Sequence, residues 1–145
     1  MRLRHLVRFV LLFSILVIPL ALSGCAASSS QSMAMPDFVQ SAPARVKESY
    51  LYAVDHPDDL AAVPCFCGCG DMGHKSNLSC FISGSAKEAA PTFEPHASGC
   101  GICVDITQDV KRLRAEGKTR SEVRAYIDAT YSSYGPGTDT ALPTD

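Results

Sequence analysis

Three cysteines alternate with other residues in Pro64-Cys65-Phe66-Cys67-Gly68-Cys69-Gly70. Neighbours this close form only strained disulfides, and three thiols cannot all pair with one another. A metal ion imposes no such pairing rule. Soft thiolates favour copper(I), zinc(II) and iron–sulfur clusters, and Gly68 and Gly70 tolerate the positive φ that lets a loop curl its sulfurs together. Further donors follow: Met72, His74 and Cys80, then His96 ahead of Cys100-Gly101-Ile102-Cys103. A Cys-x-x-Cys half-site met by an upstream cysteine cluster is the arrangement of many structural zinc sites, although the spacing here is not a standard finger pattern. The expected ligand set is therefore Cys65, Cys67, Cys69, Cys80, Cys100 and Cys103 with His74 and His96, and the expected cofactor is a copper or zinc ion.

Another use of the same cysteines competes with this one. Six thiols outside the cytoplasm can form three structural disulfides, with fifteen possible connectivities, and the chain would then be a stapled interaction module. Met72 reads as loop filler or as a copper ligand, His56 as a surface residue at a helix junction, and His5 precedes the functional region. No Ser-His-Asp set, glycine-rich phosphate loop or motif-placed carboxylate pair is recognisable, so binding is favoured over catalysis.

The elements that must position these donors are mainly helical. Val46, Tyr50, Ala53 and Val54 share one face of a helix that Ser41 could cap. His56-Pro57 interrupts it, and Pro57-Asp58-Asp59-Leu60 has the proline and acids of a second helix start, ended by Pro64. A third helix is predicted from about Cys103 to Glu116, with Ile106, Val110 and Leu113 inward and Gly117 as its stop. Thr119-Arg120-Ser121-Glu122 has capping-box spacing for a fourth, striped by Val123, Ile127 and Tyr131. Tyr50, Tyr126 and Tyr131 are expected to be core or half-buried. Residues 64–80 and 83–99 read as loops, and no strand pattern emerges. The fold expected is a small domain of about four helices with a Cys/Gly-rich loop.

The first 25 residues carry a separate message. Arg2, Arg4 and Arg8 precede an uncharged run of 14 residues from Phe9 to Leu22, followed by Ser23-Gly24-Cys25. The run is too short to span a bilayer comfortably, which takes about 20 residues, and reads as a signal peptide. Leu22-Ser23-Gly24-Cys25 resembles the lipobox of bacterial lipoproteins, which implies a diacylglyceryl group on Cys25 and a stable two-chain anchor. The expected organisation is a cleaved signal over 1–24, a flexible tether over 25–40, the cysteine-rich domain over 41–135 and a tail over 136–145. The expected location is the extracytoplasmic face of the cell membrane, reached through the N-terminal lipid. Without its signal the chain keeps 10 basic and 15 acidic side chains, near −5, which argues against nucleic acid as a partner. A domain this small, without tryptophan, needs a staple, and a metal donor or acceptor protein is a natural partner for it.

The residues also resemble a known family. Pro64-Cys65-Phe66-Cys67-Gly68-Cys69, Gly73-His74-Lys75, Cys80-Phe81, Pro95-His96, Cys100-Gly101-Ile102-Cys103 and Glu122-Val123-Arg124-Ala125-Tyr126-Ile127-Asp128 are similar to the bacterial lipoprotein family named for its PCYCGC motif. Phe66 stands where the motif has tyrosine. This resemblance implies membership and architecture more than an activity. A weaker one, carried by Cys100-x-x-Cys103, a helix, Gly117-Lys118-Thr119 and a second helix ending near Tyr131, is to exported cytochrome c maturation reductases. It implies thiol–disulfide exchange through Cys100 and Cys103, with Cys103 at a helix N-terminus that lowers a thiol pKa.

Overall fold

The computed structural model describes residues 35–88 and 90–144. The expected signal segment, the expected lipidation at Cys25 and most of the expected tether fall outside the described residues. The rest is mostly helical: α1 (Asp37–Gln40), α2 (Ala44–Asp55), α3 (Pro57–Ala61), α4 (Gly101–Ala115) and α5 (Arg120–Tyr131), with short 3-10 turns between. No helix among the described residues is long and apolar enough to cross a membrane.

The helical pair α4–α5 follows from its periodicity. Ile106, Val110 and Leu113 on one helix and Val123, Ile127 and Tyr131 on the other are all buried, as a 3.6-residue stripe requires. Gly117, at φ 83°, ends α4 in a left-handed turn, and Lys118 N–H then donates to Leu113 O at 3.1 Å. Two residues later the capping box closes. Glu122 N–H donates to Thr119 Oγ1 at 3.2 Å, and Thr119 N–H donates to Glu122 Oε2 at 2.9 Å.

Helix α2 differs from the expectation at its start. Ser41 closes α1, its hydroxyl donating to Asp37 O at 2.8 Å, and α2 begins behind Pro43. Proline already holds the φ a helix start needs, so the boundary moves two residues on. Tyr50 and Ala53 are fully buried, whereas Val46 and Val54 only flank the core. The Tyr50 ring meets Phe81 edge-on at 5.0 Å, and its hydroxyl donates to Glu94 O at 2.7 Å, satisfying the polar end of a buried aromatic. Tyr126 is 38% exposed under the Arg112 guanidinium at 5.5 Å.

A minimal hairpin stands where no strand was expected. β1 (Ile82–Ser83) pairs antiparallel with β2 (Thr92–Phe93), Ile82 opposite Phe93. Two-residue strands carry no readable alternation, yet this one returns the chain from Cys80 to His96.

Three helices meet at one carboxylate. Asp59, only 7% exposed, accepts from Tyr52 Oη at 3.2 Å and pairs with Arg120 Nε at 2.8 Å and Arg114 Nε at 3.3 Å. Hydrogen bonds to charged groups contribute about 1.5–3 kcal/mol each, discounted here because both arginines are partly solvated. Asp59→Ala is expected to lower stability by about 2–3 kcal/mol in urea unfolding, and an unchanged midpoint would show that the two arginines re-solvate without loss.

The C-terminal segment is also engaged. Thr138 N–H donates to Cys65 O at 2.9 Å and Thr138 Oγ1 accepts from Cys65 N–H at 3.0 Å, while Thr140 Oγ1 donates to Lys75 O at 2.6 Å. Arg124 on α5 donates to Ala62 O and Thr140 O at 3.4 and 3.3 Å. Gly137 passes so close to the Phe66 ring that a Cβ would lie 2.9 Å from Cε1.

Candidate metal centre

Four separate segments deliver the donors. Pro64 and Phe66 are buried, anchoring the Cys65–Cys69 loop between the end of α3 and the segment around Thr138. Gly68 at φ 82° and Gly73 at φ 88° bound the 3-10 turn Cys69–Met72, a left-handed conformation that favours glycine. His74 N–H donates to Cys69 O at 3.3 Å, which holds the His74 backbone beside that turn. The 3-10 turn Asn77–Cys80 supplies Cys80, the turn Pro95–Gly99 supplies His96, and Cys100 and Cys103 lie at the N-cap and in the first turn of α4.

All eight predicted donors come together. Cys65 Sγ lies 3.4 Å from Cys67 Sγ and 3.3 Å from Cys103 Sγ; Cys67 to Cys103 is 3.7 Å, and Cys69 to Cys80 is 3.7 Å. His96 Nε2 stands 3.4 Å from Cys67 Sγ, and His74 Nδ1 stands 3.5 Å from Cys80 Sγ. The two imidazoles meet edge to face at 5.1 Å. A disulfide needs about 2.05 Å, and all six cysteines are free. Nor do these contacts resolve into three exclusive pairs, since Cys65 touches both Cys67 and Cys103. Two thiolates on a tetrahedral zinc, with Zn–S of about 2.3 Å, stand roughly 3.8 Å apart, close to the separations found.

Four sets of donors lie within 4.8 Å of one another: Cys67, His96, Cys100 and Cys103; Cys69, His74, Cys80 and His96; Cys65, Cys67 and Cys69; and Cys65, Cys80 and Cys103. The cluster could therefore hold a metal ion. Cys65, Cys69, Cys80 and Cys103 are at most 1% exposed, whereas Cys67, Cys100, His74 and His96 are half-buried. The site has an inner wall of fixed sulfurs and an outer rim reachable from solvent. Met72 points away from this economy of burial, being 58% exposed, and His56 is exposed and stacked on Tyr52 at 4.5 Å.

Packing thiols this closely splits their acidities. Hydrogen bonding from Cys103, the largest influence, pulls the Cys65 thiol far below its ordinary value. Cys103 is pushed up by its bond to Cys65, and Cys67 is pushed up chiefly by burial. Negative charge thus gathers on one sulfur while its neighbours keep their protons. Burial, and then the neighbouring His96, hold His74 below the usual histidine range, which favours the neutral, metal-ligating imidazole.

Sequence reasoning missed the polar residues that lock the two halves together. Asn77 is fully buried; its Nδ2 donates to Cys103 O at 3.2 Å and its Oδ1 accepts from Thr107 Oγ1 at 2.8 Å. Its backbone N–H donates to Val63 O at 2.9 Å. One carboxamide therefore ties the turn before Cys80 to the first turn of α4. An asparagine among loop residues carries no signal of such a role, because its partners lie 26 and 30 residues away. Asn77→Ala should lower the stability of the metal-free protein by about 1–3 kcal/mol, measurable by chemical denaturation; an unaltered midpoint would mean the two halves hold together without it.

The sequence model of a family described as "Protein of unknown function with PCYCGC motif" matches residues 16–143. No curated protein matches the chain, and no solved structure does.

Proposed function

The chain belongs to the PCYCGC-motif family, and from that premise we propose that it is an extracytoplasmic lipoprotein, anchored through Cys25, that binds a soft metal ion at its cysteine cluster and hands it on. The observation that carries this reading is the convergence of six free thiols and two imidazoles from four segments, with sulfurs 3.3–3.7 Å apart. Thiolates and neutral imidazoles at such spacing suit zinc(II) and copper(I). The half-exposed rim of Cys67, Cys100, His74 and His96 supports transfer over a purely structural role, since a closed structural site leaves no position for an incoming ligand. A partner offering thiolate or thioether ligands would displace the rim donors while the buried sulfurs still hold the ion.

The test is elemental analysis of anaerobically purified protein combined with a free-thiol count. A soft metal in defined ratio, six thiols after its removal, and passage of the ion to a thiol chelator more slowly than from free solution are expected. Three stable disulfides and no uptake after mild reduction would defeat the proposal. For the anchor, Cys25→Ser should abolish incorporation of labelled fatty acid and leave the precursor uncleaved. Continued labelling would remove the lipoprotein assignment.

A second reading, thiol–disulfide exchange through Cys100 and Cys103, is supported by their place at the N-terminus of α4. An attacking thiol must be accessible. Cys100 is half-buried, but Cys103 is fully buried. The two readings separate on dispensability: a redox protein keeps its activity without Cys65, Cys67 and Cys69, and a metal protein does not keep its ion.

A further inference from the structure

A ligand donor for one ion must lie within reach of that ion, so two donors on the same zinc or copper cannot be much more than about 4.6 Å apart, twice a metal–sulfur bond. The eight donors here do not meet that condition together. The sets that lie within 4.8 Å of one another hold four donors, four, three and three. The two sets of four, Cys67, Cys100, Cys103, His96 and Cys69, Cys80, His74, His96, share only His96. A tetrahedral ion placed in either leaves the thiols of the other unused.

His96 has a natural side. Its Nε2 is 3.4 Å from Cys67 Sγ, which assigns it to the first set and leaves Cys69, Cys80 and His74 in the second. His74 faces Cys80 through Nδ1 at 3.5 Å, so the second set has its own imidazole. What joins them is Cys65. It is fully buried, it groups with Cys67 and Cys69 in one set and with Cys80 and Cys103 in another, and so it reaches sulfurs belonging to both halves. A thiolate sulfur keeps further lone pairs after binding one soft ion and can bind a second.

Resting on the metal-binding reading above, we propose that the cluster is a dinuclear centre: one soft cation held by Cys67, Cys103 and one of the rim donors Cys100 and His96, a second by Cys69, Cys80 and His74, with the Cys65 thiolate as the fourth ligand of each and the bridge between them. Each ligand thiol that still carries a proton releases it to solvent, and no oxidation state changes. The bridge gives a role to a cysteine with no solvent exposure that reaches sulfurs of both halves: one anionic sulfur lies between two cations and reduces their mutual repulsion. It also makes the two halves unequal. The first set contains three of the half-buried donors, Cys67, Cys100 and His96, and the second contains one, His74. The first ion is the one positioned for exchange, and the second is the resident.

The experiment is a titration of the reduced mature protein with zinc(II), copper(I) and cobalt(II), the last read by absorption and electron paramagnetic resonance. Two equivalents of each ion are expected. The cobalt resonance should grow to one equivalent and then decline as the second ion couples to the first through the shared sulfur. Cys67→Ser and Cys69→Ser should each lose one equivalent and keep the other, while Cys65→Ala should uncouple the spins. Circular dichroism of each metal-free variant checks that it folds; Cys67→Ser, at a half-buried position, is the variant best placed to do so. If either serine variant abolishes all binding in a folded chain that otherwise takes one ion, the centre is mononuclear and only the metal-binding reading survives. Two uncoupled ions would remove the bridge, and no uptake of any ion by the reduced wild-type chain would remove the metal-binding reading itself.

Discussion

Loading the reduced protein with zinc(II) or copper(I) should raise its melting temperature on the order of 15–30 °C, the largest change expected of any treatment. An ion present at about 1,000 times its dissociation constant stabilises the folded state by about 4 kcal/mol, and each kcal/mol moves the midpoint of a domain near this size by about 4–8 °C. Binding to cysteines in the unfolded chain subtracts from the gain, but Cys100 and Cys103 join the other four thiols only when α4 docks on the loop. The same loading should release protons, measurable in weak buffer, because Cys67, Cys69, Cys80 and Cys103 are all pushed above the ordinary thiol range by burial and by neighbouring sulfurs. Affinity should therefore fall as the pH is lowered and protons compete for sulfur. Chelation should return the midpoint to its starting value. A melt that does not move at saturating ion, with six titratable thiols confirmed, would exclude coupling between the cluster and the fold.

Ile106→Ala and Ile127→Ala should each lower stability by about 2–5 kcal/mol, the cost of deleting a fully buried aliphatic side chain and leaving a cavity. Both residues have no exposed surface, and each belongs to the stripe by which α4 and α5 face one another. Lys111→Ala, by contrast, removes only a partly exposed pair with Glu48 and should cost less than about 1 kcal/mol. Ile106→Ala carries a second consequence, because Cys103 lies one turn earlier on the same helix and loosening α4 displaces it. Weaker metal binding should accompany the lower stability there, with Ile127→Ala affecting stability more than affinity. Equal tolerance at Ile106, Lys111 and Ile127 would refute the helix pair.

The helix pair was legible because a 3.6-residue stripe, a capping box and a terminating glycine all point to the same boundaries. The donors were legible for a chemical reason, since alternating cysteines with glycines have few other uses. The structure then adds what local pattern cannot carry. Asp59 reads as an acid at a helix start, and it is one, but its two arginine partners are 55 and 61 residues further along. Thr138 sits in ten residues that offer little apolar surface, and its role comes from edge pairing with Cys65 rather than from burial of a stripe. At Ser41 two valid start signals stood two residues apart, and Pro43 prevailed because its φ is preset. The hairpin of Ile82–Ser83 with Thr92–Phe93 was invisible for want of length. The grouping of eight donors into two halves was equally hidden, because spacing along the chain fixes neither which imidazole faces which sulfur nor which thiol lies between.

The pairing of Cys65 with Thr138 spans 73 residues, and it makes the arming of the cluster depend on a segment that holds none of its ligands. All eight donors lie between residues 65 and 103, but both backbone hydrogen-bonding groups of Cys65 are met by Thr138. Arg124 and Gly137 seat that segment against Ala62 and the Phe66 ring. Until it docks, the chain carries reactive sulfurs without the contacts that hold their loop in place. The segment works as a clasp: a chain cut after Tyr134 would keep all its ligands and lack these means to arrange them.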